Sequence, residues 1–447
     1  MHFHYDFIPM VLLNPLGYIV LLLVISFLTF KISGKFGKGK ILFEPFSLML
    51  FLMIVGSTNL VYASFYQNNF DIHYYYPIYF LLLSVVFYRI GSSIDGAYSL
   101  SQIQELKILV LESSQVLRFL LYSIFFIYML FTLYAYYKIG IPLLTENALP
   151  HHQFFRDLGF INRLLPGIQF LLSLLLIYNL MIIYINKLKR REYLAPALMM
   201  FFLLVTFILS GTKSAILPII LTFGVSIYWF KNLINLPESL YRLQYKIFFI
   251  AVILFLLILM FNFNDVMLGS IKAMVAILFR GDTEVLFFPN MDILVDKLSQ
   301  TPLWTTIFGD PLATVRVISR ESLPISLSDQ LHNYYYSLSG DQVGGPNMRL
   351  YFFSIVYFGF FFTTVIFITL SFFIGYLQES TMVFQSNILG FIYYNILYNT
   401  VCMTINDPGL AISFLFSISL SMIIIYLLLG AYFLMLNTHK GDKKYNE

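Results

Sequence analysis

The chain has 447 residues, 59% of them hydrophobic and 11% charged, with 27 Lys and Arg against 23 Asp and Glu and a formal charge of +4. Soluble domains carry about 25% charged residues, so an ordinary water-soluble enzyme is excluded. The small net charge argues against a nucleic-acid partner, and the single Cys402 excludes an internal disulfide.

Apolar blocks about as long as the roughly 20 residues a membrane helix needs fall at 10–30, 46–65, 75–90, 118–137, 165–186, 193–210, 214–230, 247–264, 350–377, 387–403 and 411–436. The expected fold is therefore an all-α polytopic membrane protein with about eleven transmembrane helices. Residues 1–264 form the first eight spans, with a smaller external loop at 138–164. Residues 265–349 form one large extracytoplasmic loop, and 350–447 hold the last three spans and a basic tail. No basic residue precedes the first block, which speaks against a cleavable signal peptide. Cys402 reads as a small buried hydrophobe.

Orientation follows the positive-inside rule. With the N-terminus outside and the C-terminus in the cytoplasm, 17 of the 27 basic residues lie on the cytoplasmic side. The other ten fall mostly in the two long loops, which translocate largely regardless of charge. The large loop keeps the apolar stretches 271–279 and 302–308, too short to span but suited to lie at the interface or pack on the bundle.

Three polar patches carry candidate chemistry. Ser210-Gly211-Thr212-Lys213-Ser214 is a tight break between two spans. It sets Lys213 at the start of the next helix, where a cation and free helix N–H groups form an anion site. The bland alternative is a snorkelling lysine. Arg280-Gly281-Asp282-Thr283-Glu284 follows an apolar stretch in the large loop; Arg280 suits bidentate phosphate binding, with Asp282 orienting it or a partner arginine. The third patch runs from Arg316 and Arg320 through Asp329, His332-Asn333 and Tyr334, Tyr335 and Tyr336 to Gly344-Gly345-Pro346 and Arg349. His332 is the loop's one histidine and a candidate general base. Arg349 lies at the membrane edge, where it either snorkels or contacts phosphate. His151 and His152 with Arg156 and Asp157 are weaker candidates, and Asp407 reads as a turn between spans. No metal-ligand spacing, Walker loop or dinucleotide fingerprint occurs. The apolar segments hold almost no acids, which argues against a proton- or sodium-coupled pump.

This layout resembles the Wzy-type oligosaccharide repeat-unit polymerases, and more distantly the O-antigen ligases. Ser210-Gly211-Thr212-Lys213-Ser214-Ala215 is similar to the family's Gly-Gly-Thr-Arg-type turn, with Lys in place of Arg. Phe279-Arg280-Gly281-Asp282-Thr283 resembles its Arg-Asp-Thr patch with a glycine inserted, and His332-Asn333 resembles the His-Asn pair of the ligases. Gly344-Gly345-Pro346 leading to Tyr357-Phe358-Gly359 is similar to the loop-to-helix passage that ends the family's large loop.

The resemblance implies a GT-C-like, cofactor- and metal-independent glycosyltransferase. It would act on undecaprenyl-diphosphate-linked oligosaccharide at the outer face of the bacterial cytoplasmic membrane, with a chain-length regulator as a further partner. In that reading His332, Arg280 and Asp282 are catalytic. Lys213, Arg316, Arg320, Asn333 and Arg349 bind diphosphate or sugar. The alternatives are a flippase of the same lipid-linked sugar and an O-antigen ligase.

Overall fold

The computed structural model describes residues 11, 14–33, 45–94, 114–141, 160–186, 190–210, 217–233, 282–315, 317–319, 349–379 and 387–444, with the separate positions 238, 239, 243, 246, 323, 327, 330, 331 and 334. Among them every regular element is helical, and eight helices are long and apolar enough to cross a bilayer. The chain is an all-α, multi-pass membrane protein. Two further apolar helices, Tyr76–Ser92 and Leu217–Leu233, have 17 residues each and coincide with the spans expected at 75–90 and 214–230. The span expected at 247–264 lies outside the described residues.

The chain divides into two compact units. The first holds α1 (Pro15–Ile32), α2 (Pro45–Gln67), α3 (Tyr76–Ser92), α8 (Asp282–Phe287), α9 (Met291–Leu298), α10 (Leu303–Thr314) and α11 (Leu350–Glu379). The second holds α4 (Ser114–Ile139), α5 (Ile161–Ile185), α6 (Arg190–Leu209) and α7 (Leu217–Leu233). The last helices, α12 (Ile388–Asn406) and α13 (Pro408–Lys444), contribute residues to both.

Helix ends follow local chemistry. The first apolar block was expected from residue 10, but α1 begins at Pro15 because Asn14 caps it. The Asn14 side chain accepts from the Gly17 N–H at 3.0 Å, and proline occupies the first turn. Asp407 is the whole joint between α12 and α13. Its carboxylate accepts from the Leu410 N–H at 3.0 Å with Pro408 next in sequence, which bears out the turn read there. Cys402 is buried.

Helix faces show where lipid lies. Helix α4 buries Leu117, Leu121, Ile124, Tyr128 and Ala135 and exposes Tyr122, Phe126, Leu130, Leu133 and Tyr137. Both faces are apolar, so the exposed stripe belongs against lipid rather than water. Helices α2, α5 and α12 are the most enclosed, with 78%, 72% and 72% of their spanning windows buried. In unit 2, α5 meets α13 where Gly167 lies under the Ser417 carbonyl; a Cβ on Gly167 would come within 2.3 Å of that oxygen.

The core of unit 1 is a parallel pair, α3 and α11. Tyr76 packs on Phe360 with ring centroids 4.5 Å apart at one end. At the other, Gly91 and Gly375 each lie against the partner's backbone. A Cβ on Gly91 would sit 2.0 Å from the Phe372 carbonyl oxygen, and one on Gly375 would sit 2.1 Å from that of Tyr88. Such close backbone approach is what small residues permit between membrane helices. The Tyr88 hydroxyl also donates to Gln378 Oε1 across the same crossing.

Helix α11 is not the straight span that the apolar block 350–377 suggests. It breaks at Gly359, where φ is 74° and ψ 175°. Tyr351 and Phe367 stack with centroids 5.9 Å apart, although sixteen residues of straight helix would separate them by about 24 Å. The arm 350–358 therefore folds back beside the arm 360–379, with Gly359 at the vertex. The short arm is enclosed, with Leu350, Tyr351, Phe352, Phe353, Ser354, Ile355 and Val356 all buried.

A Cβ on Gly359 would meet nothing within 4 Å, so the requirement there is conformational. This region of φ and ψ is essentially restricted to glycine, at a cost of order 1–3 kcal/mol for other residues. Gly359→Ala should lower stability by about that amount, read as a reduced thermal midpoint of the detergent-solubilised protein. An unchanged midpoint would show that the vertex tolerates a side chain.

Candidate functional site

The polar centre of unit 1 is built from α2, α8 and the start of α11. Helix α8 is anchored by the apolar run that follows its acid: Val285, Leu286, Phe287 and Phe288 are all buried. Phe287 packs on Phe352 with centroids 4.4 Å apart, and Phe288 packs on Tyr351 at 5.7 Å. These contacts fix α8 against the short arm of α11 and drive Glu284 into the interior.

Glu284 and Arg349 form a buried ion pair, with Arg349 Nε 3.5 Å from Glu284 Oε1 and side-chain exposures of 1% for Arg349 and 0% for Glu284. The Tyr351 hydroxyl donates to the same oxygen. Glu284 Oε2 has no hydrogen-bond partner among the described residues. The carboxylate lies against Gly56, where a Cβ would come within 2.4 Å of Oε1.

Gly56 is the midpoint of α2, eleven residues from each end, or roughly 16 Å along the axis. The ion pair therefore sits at mid-height of a membrane-length helix. Guanidinium stays charged under all protein conditions, and a buried arginine needs a counter-charge. Glu284 supplies it at the first turn of α11, where the helix dipole also favours an anion. Burial pushes the Glu284 carboxyl above its ordinary range, and the Arg349 charge pulls against that shift.

Both residues lie deeper than the sequence suggested. Arg349 was expected at the membrane edge and is instead enclosed with an acid. Glu284 was read as part of a loop pentapeptide and given no role. Its sequence signal was the uninterrupted apolar run 285–288 immediately after it. The scarcity of acids in the apolar segments no longer argues against ion coupling, since the fold brings one in from outside those segments.

Asp282 forms the first residue of α8. Arg280, Lys213, Arg316, Arg320, His332, Asn333, His151 and His152 lie outside the described residues. The patch 280–284 and the end of the large loop at Arg349 are thus joined through Glu284. No group of three or more His, Cys, Asp or Glu side chains suited to a metal occurs among the described residues.

Unit 2 carries a directional hydrogen-bond chain near the end of α6. Thr206 Oγ1 donates to the Leu203 carbonyl at 2.7 Å, so the Tyr128 hydroxyl donates to Thr206 Oγ1 at 2.7 Å. Gln169 Nε2 in turn donates to the Tyr128 oxygen at 3.2 Å, and the Tyr136 hydroxyl donates to the Thr206 carbonyl at 3.1 Å. Helices α4 and α5 thereby hold the last turn of α6, which ends at Leu209; residues 211–216 lie outside the described residues.

No family model matches the chain, and no curated protein or solved structure matches it.

Proposed function

We propose that this chain is a polymerase joining undecaprenyl-diphosphate-linked oligosaccharide repeat units into a surface polysaccharide such as O-antigen. In this reading it is a GT-C-like protein with about eleven spans in the bacterial cytoplasmic membrane, its N-terminus outside and its C-terminus inside. The observation that carries the reading is the Glu284–Arg349 pair, which joins the residue just after the resembling stretch Phe279–Thr283 to Arg349, inside the passage from Gly344 to Gly359 and 65 residues further on in sequence.

The reaction breaks the bond between the growing glycan's anomeric carbon and its lipid diphosphate and forms a bond from that carbon to an acceptor hydroxyl oxygen. The hydroxyl proton passes to a base, assigned to His332 with Asp329 as the rival. Lys213 and Arg280 stabilise the departing diphosphate, with Asp282 orienting Arg280 and with Arg316 and Arg320 as further contacts. Asn333 contacts sugar. Because Arg349 is buried on Glu284, its part is to position: holding Glu284 fixes the start of α8, four residues after Arg280. A chain-length regulator is the expected protein partner.

Deleting the gene should reduce surface polysaccharide to a single repeat on its acceptor while attachment continues. Loss of a ligase would leave polymer on the carrier lipid, and loss of a flippase would leave a bare acceptor. The flippase reading draws on one observation of its own, the ion pair at mid-height of α2 beside a folded-back helix, a pattern transporters use near the bilayer centre. In the polymerase, Lys213→Ala and Arg280→Ala should each slow chain extension by about 10²–10³-fold, the usual cost of one charge-stabilising donor. Lys213→Arg should retain it. A bare acceptor in the deletion strain, or normal chain lengths in both alanine variants, would overturn the assignment.

A further inference from the structure

The described part of the large loop exposes an apolar face whose level in unit 1 is fixed by one side chain. Tyr357 lies two residues before the Gly359 vertex, and its hydroxyl is 2.9 Å from both the Thr301 carbonyl oxygen and Thr306 Oγ1. It donates to the carbonyl, and the Thr306 hydroxyl, which also donates to the Pro302 carbonyl at 3.2 Å, lies against its oxygen. The same vertex is level with the start of α3, through the Tyr76–Phe360 contact. The first turn of α10 is therefore pinned at the end of unit 1 where α3 begins and the long arm of α11 departs.

Helix α10 presents opposite faces to its two sides. Thr306 points to Tyr357, while Trp304, two residues and about 200° away, is 51% exposed. Phe308, one turn on from Trp304, is also exposed, as is Val315 further along the same stripe. Gly309, on the inner side, packs so closely under Leu323 that a Cβ would sit 2.7 Å from its methyl group. Phe358 is exposed just before the vertex, and just past it Phe361 and Phe362 are exposed on α11, where they begin the lipid-facing surface of its long arm. The exposed face of α10 therefore lies level with the start of surface that a bilayer covers. Twelve residues of helix, about 18 Å, cannot cross a bilayer. A short helix with an aromatic face at this level suits the interface, the layer that tryptophan prefers.

We propose that α10 is a monotopic interfacial helix, seated with Trp304 and Phe308 in the headgroup–acyl boundary of the leaflet at the Gly359 end. Its partner is the lipid surface itself, and the inference stands independently of the polymerase reading. The seat anchors the large loop at the membrane, close to where a lipid-linked headgroup would lie.

The chain has two tryptophans, and Trp229 is fully buried in unit 2, so one surface substitution isolates the signal. The full-length protein and its Trp304→Phe variant would be reconstituted in phosphatidylcholine vesicles, and the difference between their emissions assigned to Trp304. Lipids brominated near the headgroup end of the acyl chain should remove most of that emission, lipids brominated near the chain terminus much less, and aqueous iodide little. Quenching by iodide without quenching by lipid would place the helix in water and overturn the proposal. Stronger quenching by the deep bromines would mean insertion, and protection from every quencher would mean a protein partner; either result also overturns it.

Discussion

Arg349→Met alone should destabilise the protein by about 3–5 kcal/mol, the cost of leaving a buried charge without its partner. Glu284→Met alone should do the same, since it strands the guanidinium beside α2. The double variant, Glu284→Met with Arg349→Met, should recover most of the loss. Replacing a whole buried pair with apolar groups of similar volume is often neutral or stabilising by about 1–4 kcal/mol. Thermal unfolding of the four detergent-solubilised proteins measures this directly.

Chain-extension activity then separates two roles for the pair. If Arg349 positions the α8 region for chemistry, the double variant should be well folded and should make only short polymer. Stability and long polymer together in the double variant would leave the pair with no functional part. Two equally unstable single variants with no recovery in the double would instead mean that the charges hold something beyond each other.

The second large effect is expected where α3 crosses α11. Gly91→Leu and Gly375→Leu should each cost about 3 kcal/mol or more, at or beyond the upper end for overpacking. The atoms in the way are the backbone oxygens of Phe372 and Tyr88 at 2.0 and 2.1 Å, and no rotamer change relieves a clash with backbone. The helices must separate, taking the Tyr88–Gln378 hydrogen bond with them. Gly430→Ala on α13 is the control, because a Cβ there meets nothing within 4 Å. It should be neutral or stabilising by roughly 0.5–1 kcal/mol. Equal losses at all three sites, measured as the fraction of folded protein after detergent extraction, would show that crossing distance does not set the effect.

What was legible in the sequence followed from what burial in lipid demands. Blocks of about 20 apolar residues have few fates, so α2, α4, α5, α6 and α12 lie where the blocks predicted them, within a few residues. Asn406-Asp407-Pro408-Gly409 was readable as a turn because capping and proline chemistry is local. The fold-back of α11 was hidden, since the sequence is predominantly apolar on both sides of Gly359 and only one residue's φ departs from helix. The passage Tyr357-Phe358-Gly359 drew notice as a motif, but nothing in it announced a reversal.

The ion pair was half legible. Arg349 stood out as a cation against an apolar run, while Glu284 was masked by Arg280 and Asp282, which made its stretch look solvated. Whether those two neighbours follow it inward depends on tertiary packing that local sequence does not encode. The carboxylate's place beside Gly56 required pairing residues 228 positions apart, beyond the reach of any periodicity.

The α3–α11 pairing also sets a schedule for synthesis. The two helices run in register about 284 residues apart, as the Tyr76–Phe360 contact shows. At roughly 5–20 residues per second, α3 leaves the ribosome some 15–60 s before the helix that fills its glycine notch. For that interval the groove at Gly91 is open in the membrane, and lipid or an insertion factor must occupy it. Arrested chains ending before residue 350 should therefore crosslink from position 91 to such an occupant, and chains long enough to include α11 should not.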